Sequence, residues 1–276
     1  MRVRGMAVAV AVGLGMLFAP AAQAAEPLNY VALGDSFAAG PLIPWQDSNL
    51  ACLRSTNNYP TVAAKALGAS LTDVSCSGAK VSDFSGRQFG FLAPQYDVLS
   101  ADVDLVSLTI GGNDIGLVQE ALGCVNVFPE PFGLSCKDRL TAGGDKLKAA
   151  IDAWAPTFAG ALAEIKRRAP RAKILVVGYA TYIKRGGCYP TQPIWARDAD
   201  YIQGSVNHLS ATLRAQATAA GATFVDTAAV SVGHDTCAAP SARYIEGLIP
   251  TSIAAPLHPN AQGMTAFGAA VATAAR

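Results

Sequence analysis

The chain has 276 residues in which 21 Lys+Arg nearly balance 20 Asp+Glu, leaving a formal charge of +1. That balance gives no electrostatic reason to expect a nucleic-acid partner. The size suits one large α/β domain better than two, and no Pro/Gly/Ser linker, charge block or repeat divides it.

At the start, Arg2 and Arg4 precede an uncharged apolar stretch from Met6 to Phe18 and the small-residue run Ala22-Gln23-Ala24-Ala25. This pattern predicts a secretory signal peptide over residues 1–25. The stretch falls short of the roughly 20 residues that a membrane span needs. A single exported domain over residues 26–276 is therefore expected, monomeric and with no stable membrane anchor. The six cysteines, Cys52, Cys76, Cys124, Cys136, Cys188 and Cys237, are expected as disulfides in such a chain. Six cysteines allow many pairings, of which spacing favours the sequential one. No two cysteines stand at zinc-ligand spacing, so no metal and no cofactor is expected.

Nearly continuous apolar runs predict buried parallel strands at residues 29–33, 71–76, 103–110, 173–177 and 223–226. Helical spacing between them predicts helices at 59–67, 115–122, 143–168, 199–220 and 260–274. Pro156, inside the third, predicts a kink or a division into two helices. Alternation of this kind gives a parallel sheet covered on both faces, joined by right-handed crossovers. Ligands of such sheets collect outside the carboxyl ends of the strands.

The residues with chemistry to offer fall at those ends. Gly34-Asp35-Ser36-Phe37 follows the first strand, and Gly34 and Gly40 permit a tight turn that presents the Ser36 hydroxyl. A serine needs a neighbouring base to become a nucleophile. Cys76-Ser77-Gly78-Ala79 ends the second strand and leaves the Gly78 N–H unobstructed by a Cβ. Gly111-Gly112-Asn113-Asp114 ends the third and offers a side-chain amide. Each of these is also an ordinary turn or helix cap when taken alone. Of the three histidines, His258 stands in Leu257-His258-Pro259-Asn260 before the last helix and is the leading candidate base. His208 lies inside a helical pattern, and His234 reads as loop. A rival nucleophile is Ser231 in Ala229-Val230-Ser231-Val232-Gly233, which approximates an α/β-hydrolase elbow but is not followed by a helical pattern.

Together the four blocks, in this order, resemble the SGNH hydrolases, the GDSL lipase/esterase superfamily. Gly34-Asp35-Ser36-Phe37-Ala38-Ala39-Gly40, Cys76-Ser77-Gly78-Ala79 and the three cysteine pairs look like its secreted actinomycete lipase/esterase branch. The resemblance implies a three-layer α/β/α, flavodoxin-like fold with a five-stranded parallel sheet. It also implies a carboxylic ester hydrolase with Ser36 as nucleophile and His258 as base. The implied oxyanion hole consists of the Ser36 and Gly78 N–H groups and the Asn113 amide, with the disulfides in loops around it.

One position departs from the family. Where many members carry an aspartate three residues before the histidine, this chain has Ala255. The expected substitute is a backbone carbonyl, that of Ala255 or a close neighbour, giving a Ser-His dyad. The apolar loops at 89–92 and 127–132 are candidates to receive an acyl chain. Fatty-acyl esters, including lipids and phospholipids, are the expected substrates. A carbohydrate or polymer ester is the alternative, and the rival from another class is a non-catalytic binding protein on the same fold.

Overall fold

The computed structural model describes Met1 and residues 26–276; the signal peptide predicted over residues 1–25 otherwise lies outside the described residues. Five strands, β1 (Asn29–Gly34), β2 (Ser70–Asp73), β3 (Leu105–Thr109), β4 (Lys173–Val177) and β5 (Thr223–Val225), form one sheet. Its order is β2-β1-β3-β4-β5, and every pairing is parallel. The helices are α1 (Ser36–Ala39), α2 (Tyr59–Leu67), α3 (Ser82–Ser85), α4 (Leu117–Leu122), α5 (Cys136–Thr141), α6 (Lys146–Arg168), α7 (Ala196–Ala219), α8 (Thr227–Val230) and α9 (Ala261–Ala275). α2 packs with α9 and α6 with α7, forming the two outer layers of a flavodoxin-like α/β/α fold.

The strands form where the apolar runs predicted them, but burial is uneven. β3 is buried along its length and β1 from Tyr30 onward, because both lie inside the sheet. β2 alternates exposed and half-buried residues. It was expected as a buried strand and is instead an edge, with one side open to water. Its continuation still follows β1, through Val74 N–H to Ala32 O at 2.9 Å and Cys76 N–H to Gly34 O at 3.0 Å.

α6 runs unbroken for 23 residues through Pro156. The proline sits on the exposed face, so the Asp152 carbonyl that it leaves without an intrahelical partner can be solvated. Side-chain caps fix the helix starts: Asn58 accepts from Thr61 N–H, Asp145 from Lys148 N–H and Asn260 from Gly263 N–H.

The sheet order reverses at β1, with β2 on one side and β3 on the other. The carboxyl ends of β1 and β3 therefore border the crevice of a topological switch point. There Gly34 lies against β3 so closely that a Cβ would stand 2.4 Å from the Thr109 carbonyl oxygen, and its φ is +134°. Gly34→Ala should lower unfolding stability by about 3 kcal/mol, since backbone strain alone costs about 1–3 kcal/mol and β3 must also move. Urea unfolding that left the midpoint within error of the wild type would contradict this account of the junction.

Candidate active site

Ser36 owes its position to its neighbours. Asp35 caps the one-turn helix α1, its Oδ1 accepting from Phe37 N–H at 2.8 Å, and Gly40 ends the helix in the left-handed region. From Tyr30 to Pro41 only Ser36 is not buried. The strand, cap and helix thus leave one hydroxyl accessible at the switch point.

His258 reaches that hydroxyl from the far end of the chain. Its Nε2 lies 2.7 Å from Ser36 Oγ, and its Nδ1 lies 2.8 Å from the Pro256 carbonyl. A carbonyl can only accept, so Nδ1 carries the proton and Nε2 is left to accept from Ser36. The orienting carbonyl is therefore that of Pro256, one residue beyond the expected Ala255. The Ala255 carbonyl is occupied: it accepts His258's own backbone N–H at 3.2 Å. That bond closes a turn with Pro256 and Leu257 at its centre, and Leu257 takes the positive φ, 62°, that the third residue of a type II turn requires. Burial holds the His258 imidazole below its ordinary pKa, and the bond to Pro256 opposes this only in part.

The loop carrying His258 is braced from below. Glu246 N–H donates to the His258 carbonyl at 2.9 Å. The Glu246 carboxylate, fully buried, accepts from Thr251 N–H at 2.7 Å, Ser252 Oγ at 2.7 Å and Asn260 Nδ2 at 2.8 Å. These bonds outweigh desolvation and hold its pKa below the usual carboxylate value.

The three expected oxyanion donors lie beyond the carboxyl ends of β1, β2 and β3, Ser36 at the start of α1 and the other two in the turns after β2 and β3. Asn113 Nδ2 donates to the Ala79 carbonyl at 2.9 Å, which joins the turn after β3 to the turn after β2. Gly78 is exposed with φ +82°. Among the described residues neither the Ser36 nor the Gly78 N–H donates to a protein acceptor. The six cysteines form Cys52–Cys76, Cys124–Cys136 and Cys188–Cys237. The first stiffens the segment just before Gly78.

Two features were not anticipated. Tyr179, two residues beyond β4, donates its hydroxyl to Asp35 Oδ2 at 2.5 Å and accepts from Gly112 N–H at 2.8 Å. It links the turn bearing Ser36 to the turn bearing Asn113. Its place at the carboxyl end of a strand was the available signal. Burial pushes the Asp35 carboxyl up to about 7, against the pull of the Tyr179 and Phe37 hydrogen bonds.

The second feature is an apolar slot opening at Ser36 and His258. Leu117, Val118, Ala121, Ile183, Ile202 and Val206 are among its walls. Its empty volume, open mouth included, is about 780 Å³. The loops expected to form this wall do not line it: Phe89, Phe91, Val127, Phe128 and Phe132 point to solvent. Helices α4 and α7 face inward and supply the apolar surface instead.

The remaining sequence candidates are structural. Ser231 is buried, donating to Thr227 O at 2.8 Å and accepting from Thr181 N–H at 2.8 Å. His234 stacks on Tyr244 with ring centroids 3.9 Å apart. His208 pairs with Asp152 on the outer face of α7.

The chain is similar to known proteins over most of its length. The model of the GDSL-like Lipase/Acylhydrolase family matches residues 32–266. Lipase 2 of Streptomyces coelicolor is 42% identical over 250 residues, which cover 88% of this chain and 84% of that protein. Lipase 1 of the same organism is 31% identical over 93% of this chain and 91% of its own length. Among solved structures, phospholipase A1 from Streptomyces albidoflavus superimposes with a TM-score of 0.76 at 28% identity, over 91% of this chain and all of that one. The extracellular lipase from Streptomyces rimosus does so with the same score and identity, over 90% of this chain and 100% of its own.

The buried Asp35 has a measurable consequence. In the folded chain it keeps its proton up to about pH 7, whereas unfolded it loses it near pH 4. The folded state thus binds the extra proton between these values. The associated stability is complete below about pH 4 and is lost as pH rises through about 7, an amount on the order of a few kcal/mol. Asp35→Asn should remove this dependence. Unfolding in urea at several pH values should show the wild type weakening relative to the variant between pH 4 and 7.5; parallel profiles would refute the assignment.

Proposed function

Since this chain belongs to the GDSL-like lipase/acylhydrolase family and is a carboxylic ester hydrolase, we propose that it acts through an acyl-enzyme on Ser36 with His258 as the base. The single observation that carries this reading is the 2.7 Å approach of His258 Nε2 to Ser36 Oγ at the mouth of the apolar slot. Ser36 Oγ attacks the ester carbonyl while Nε2 takes its proton. The oxyanion receives hydrogen bonds from the Ser36 and Gly78 N–H groups and the Asn113 amide. As the tetrahedral adduct collapses, His258 returns the proton to the leaving alkoxide. Water, deprotonated by the same imidazole, then attacks the acyl carbon and releases the acid. The Pro256 carbonyl keeps Nδ1 protonated throughout. It carries only a partial negative charge, so it orients the imidazole fully and stabilises the imidazolium less than a carboxylate would.

The slot favours fatty-acyl esters, lipids and phospholipids among them, over acetylated carbohydrate or polymer. An acetyl group has no use for walls from Leu117, Val118, Ile202 and Val206. Export belongs to the same proposal. It is supported by the composition of residues 1–25 and by three disulfides. No helix among the described residues is long and apolar enough to cross a membrane.

Ser36→Ala should reduce p-nitrophenyl ester hydrolysis on the order of 10⁴-fold or more, with substrate binding retained; a variant within tenfold of the wild type would end the proposal. The acid limb of kcat/KM should have its midpoint below the ordinary imidazole value of about 6.5, because burial disfavours the charged ring. A midpoint at or above 6.5 would contradict that environment. Filling the slot by Ala121→Phe should lower the palmitate-to-acetate ratio of kcat/KM at least tenfold in a p-nitrophenyl ester series, while acetate hydrolysis stays near the wild-type rate.

A further inference from the structure

We propose that Gln88 is a positioning residue of the oxyanion hole: its buried amide holds the Ser77–Gly78 peptide in the orientation that aims the Gly78 N–H at the reacting carbonyl. The inference rests on the assignment of Gly78 and Asn113 as oxyanion donors above. Gln88 is only 5% exposed, and its Nε2 donates to the Ser77 carbonyl at 2.8 Å. The Ser77–Gly78 bond is not among the three cis peptides of the described residues. In a trans peptide the carbonyl and the N–H of the same plane point in opposite directions. Holding the Ser77 oxygen on the protein side therefore directs the Gly78 N–H outward. There it has no protein acceptor among the described residues, beside Asn113, whose amide grips Ala79 O.

The other tethers of this turn do not fix that plane. The Cys52–Cys76 bridge, the Ser77 N–H bond to Cys52 O at 3.0 Å and the Ala79 N–H bond to Cys76 O at 3.1 Å hold the path of the chain on either side. Between them the peptide can turn over by opposite changes in Ser77 ψ and Gly78 φ. Glycine resists such a turn least of all residues, since both signs of φ are open to it. The freedom that lets Gly78 adopt φ +82° also lets its N–H turn away. The bond from Gln88 opposes that motion, and it polarises the peptide in the sense that strengthens the N–H as a donor. The same connecting segment anchors the nucleophile side. Gln95 accepts from Gly34 N–H at 2.8 Å and donates to Gly34 O at 3.0 Å, so two buried amides from one segment hold the turns before Ser36 and Gly78.

The test uses the full exported chain bearing Gln88→Met, which keeps length and removes the donor, beside Asn113→Ala. Each is measured for kcat and KM on p-nitrophenyl butyrate, for the affinity of an alkyl boronic acid that forms a tetrahedral adduct on Ser36, and for melting temperature. Gln88→Met should lower kcat about tenfold, leave KM within about twofold, and weaken the boronic acid by the same factor as kcat/KM. If it leaves kcat and boronic-acid affinity unchanged while Asn113→Ala loses both, the role of Gln88 is overturned and the oxyanion assignment stands. If Asn113→Ala also loses neither, the assignment itself falls. A rise in KM with boronic-acid affinity unchanged would mean ordinary loop support and would overturn the proposal as well. Should Gln88→Met fail to fold, Gln88→Glu, closest in shape and unable to donate when ionised, gives the same readings.

Discussion

The site depends on how closely β1 and β3 approach at their carboxyl ends. Gly34 lies against the Thr109 carbonyl with no room for a side chain, and Asp35 N–H bonds that same carbonyl at 2.9 Å. This contact turns the chain sharply out of the sheet, so that Asp35 caps α1 and Ser36 stands in the crevice. It also holds Ser36 close to the loop that leaves β3 at Thr109 and carries Asn113 four residues on. Tyr179 then closes the arrangement from the β4 side, through Asp35 and the Gly112 N–H. Three strand ends are thereby fastened around one hydroxyl. The cost appears in Asp35, whose carboxyl is buried deeply enough to resist ionisation.

The histidine is held by a different logic. Among the described residues no carboxylate bonds the imidazole, yet a carboxylate does govern its loop. Glu246 gathers Thr251, Ser252 and Asn260 around its two oxygens. The bonds from residues 251 and 252 tie the segment that follows Glu246 back to it, and the bond from Asn260 fixes the start of α9 just beyond His258. The negative charge thus shapes the backbone that presents Pro256 instead of bonding the ring directly. The strained Leu257 is part of this device. A bulky residue at φ 62° costs on the order of 1–3 kcal/mol, but the turn that requires it delivers the Pro256 carbonyl to Nδ1, and the Leu257 side chain lines the slot. A glycine there would relax the backbone and remove part of the wall.

What could be read from the sequence was what local patterns encode. The strands with continuous apolar runs, the turns Gly34-Asp35-Ser36, Ser77-Gly78 and Gly112-Asn113, and the His258-Pro259-Asn260 entry to α9 each carry their signal within a few residues. The unread parts are made at a distance. Any residue offers a carbonyl, so composition does not distinguish Pro256 from Ala255; only the turn geometry does. Tyr179 and Gln88 act through partners 144 and 11 residues away, and neither stands in a motif. The slot wall combines α4, the loop after β4 and the inward side of α7, whereas the aromatic loops chosen from hydrophobicity alone are exposed. Pro156 does not divide α6, because on an outer helix face its missing hydrogen bond is tolerated. The edge strand β2 misled because an apolar run does not say which neighbour is absent.

The disulfides fit the same division of labour. The strands and helices place the loops, and Gly78, Asn113 and His258 sit on loops while Ser36 opens α1. Cys52–Cys76 joins the loop after β1 to the end of the segment that follows β2, and Cys188–Cys237 joins the loop after β4 to the loop after β5. Cys124–Cys136 closes the segment beyond α4 on itself. Crosslinks between loops remove disordered conformations that a chain without them would sample. They do so where the sheet cannot, beyond the last strand hydrogen bonds. Within that frame the hydrogen bonds of Gln88, Gln95 and Tyr179 orient peptide planes and side chains. Coarse position is thus covalent, and fine orientation is left to buried amides and hydroxyls acting on a nearly fixed backbone.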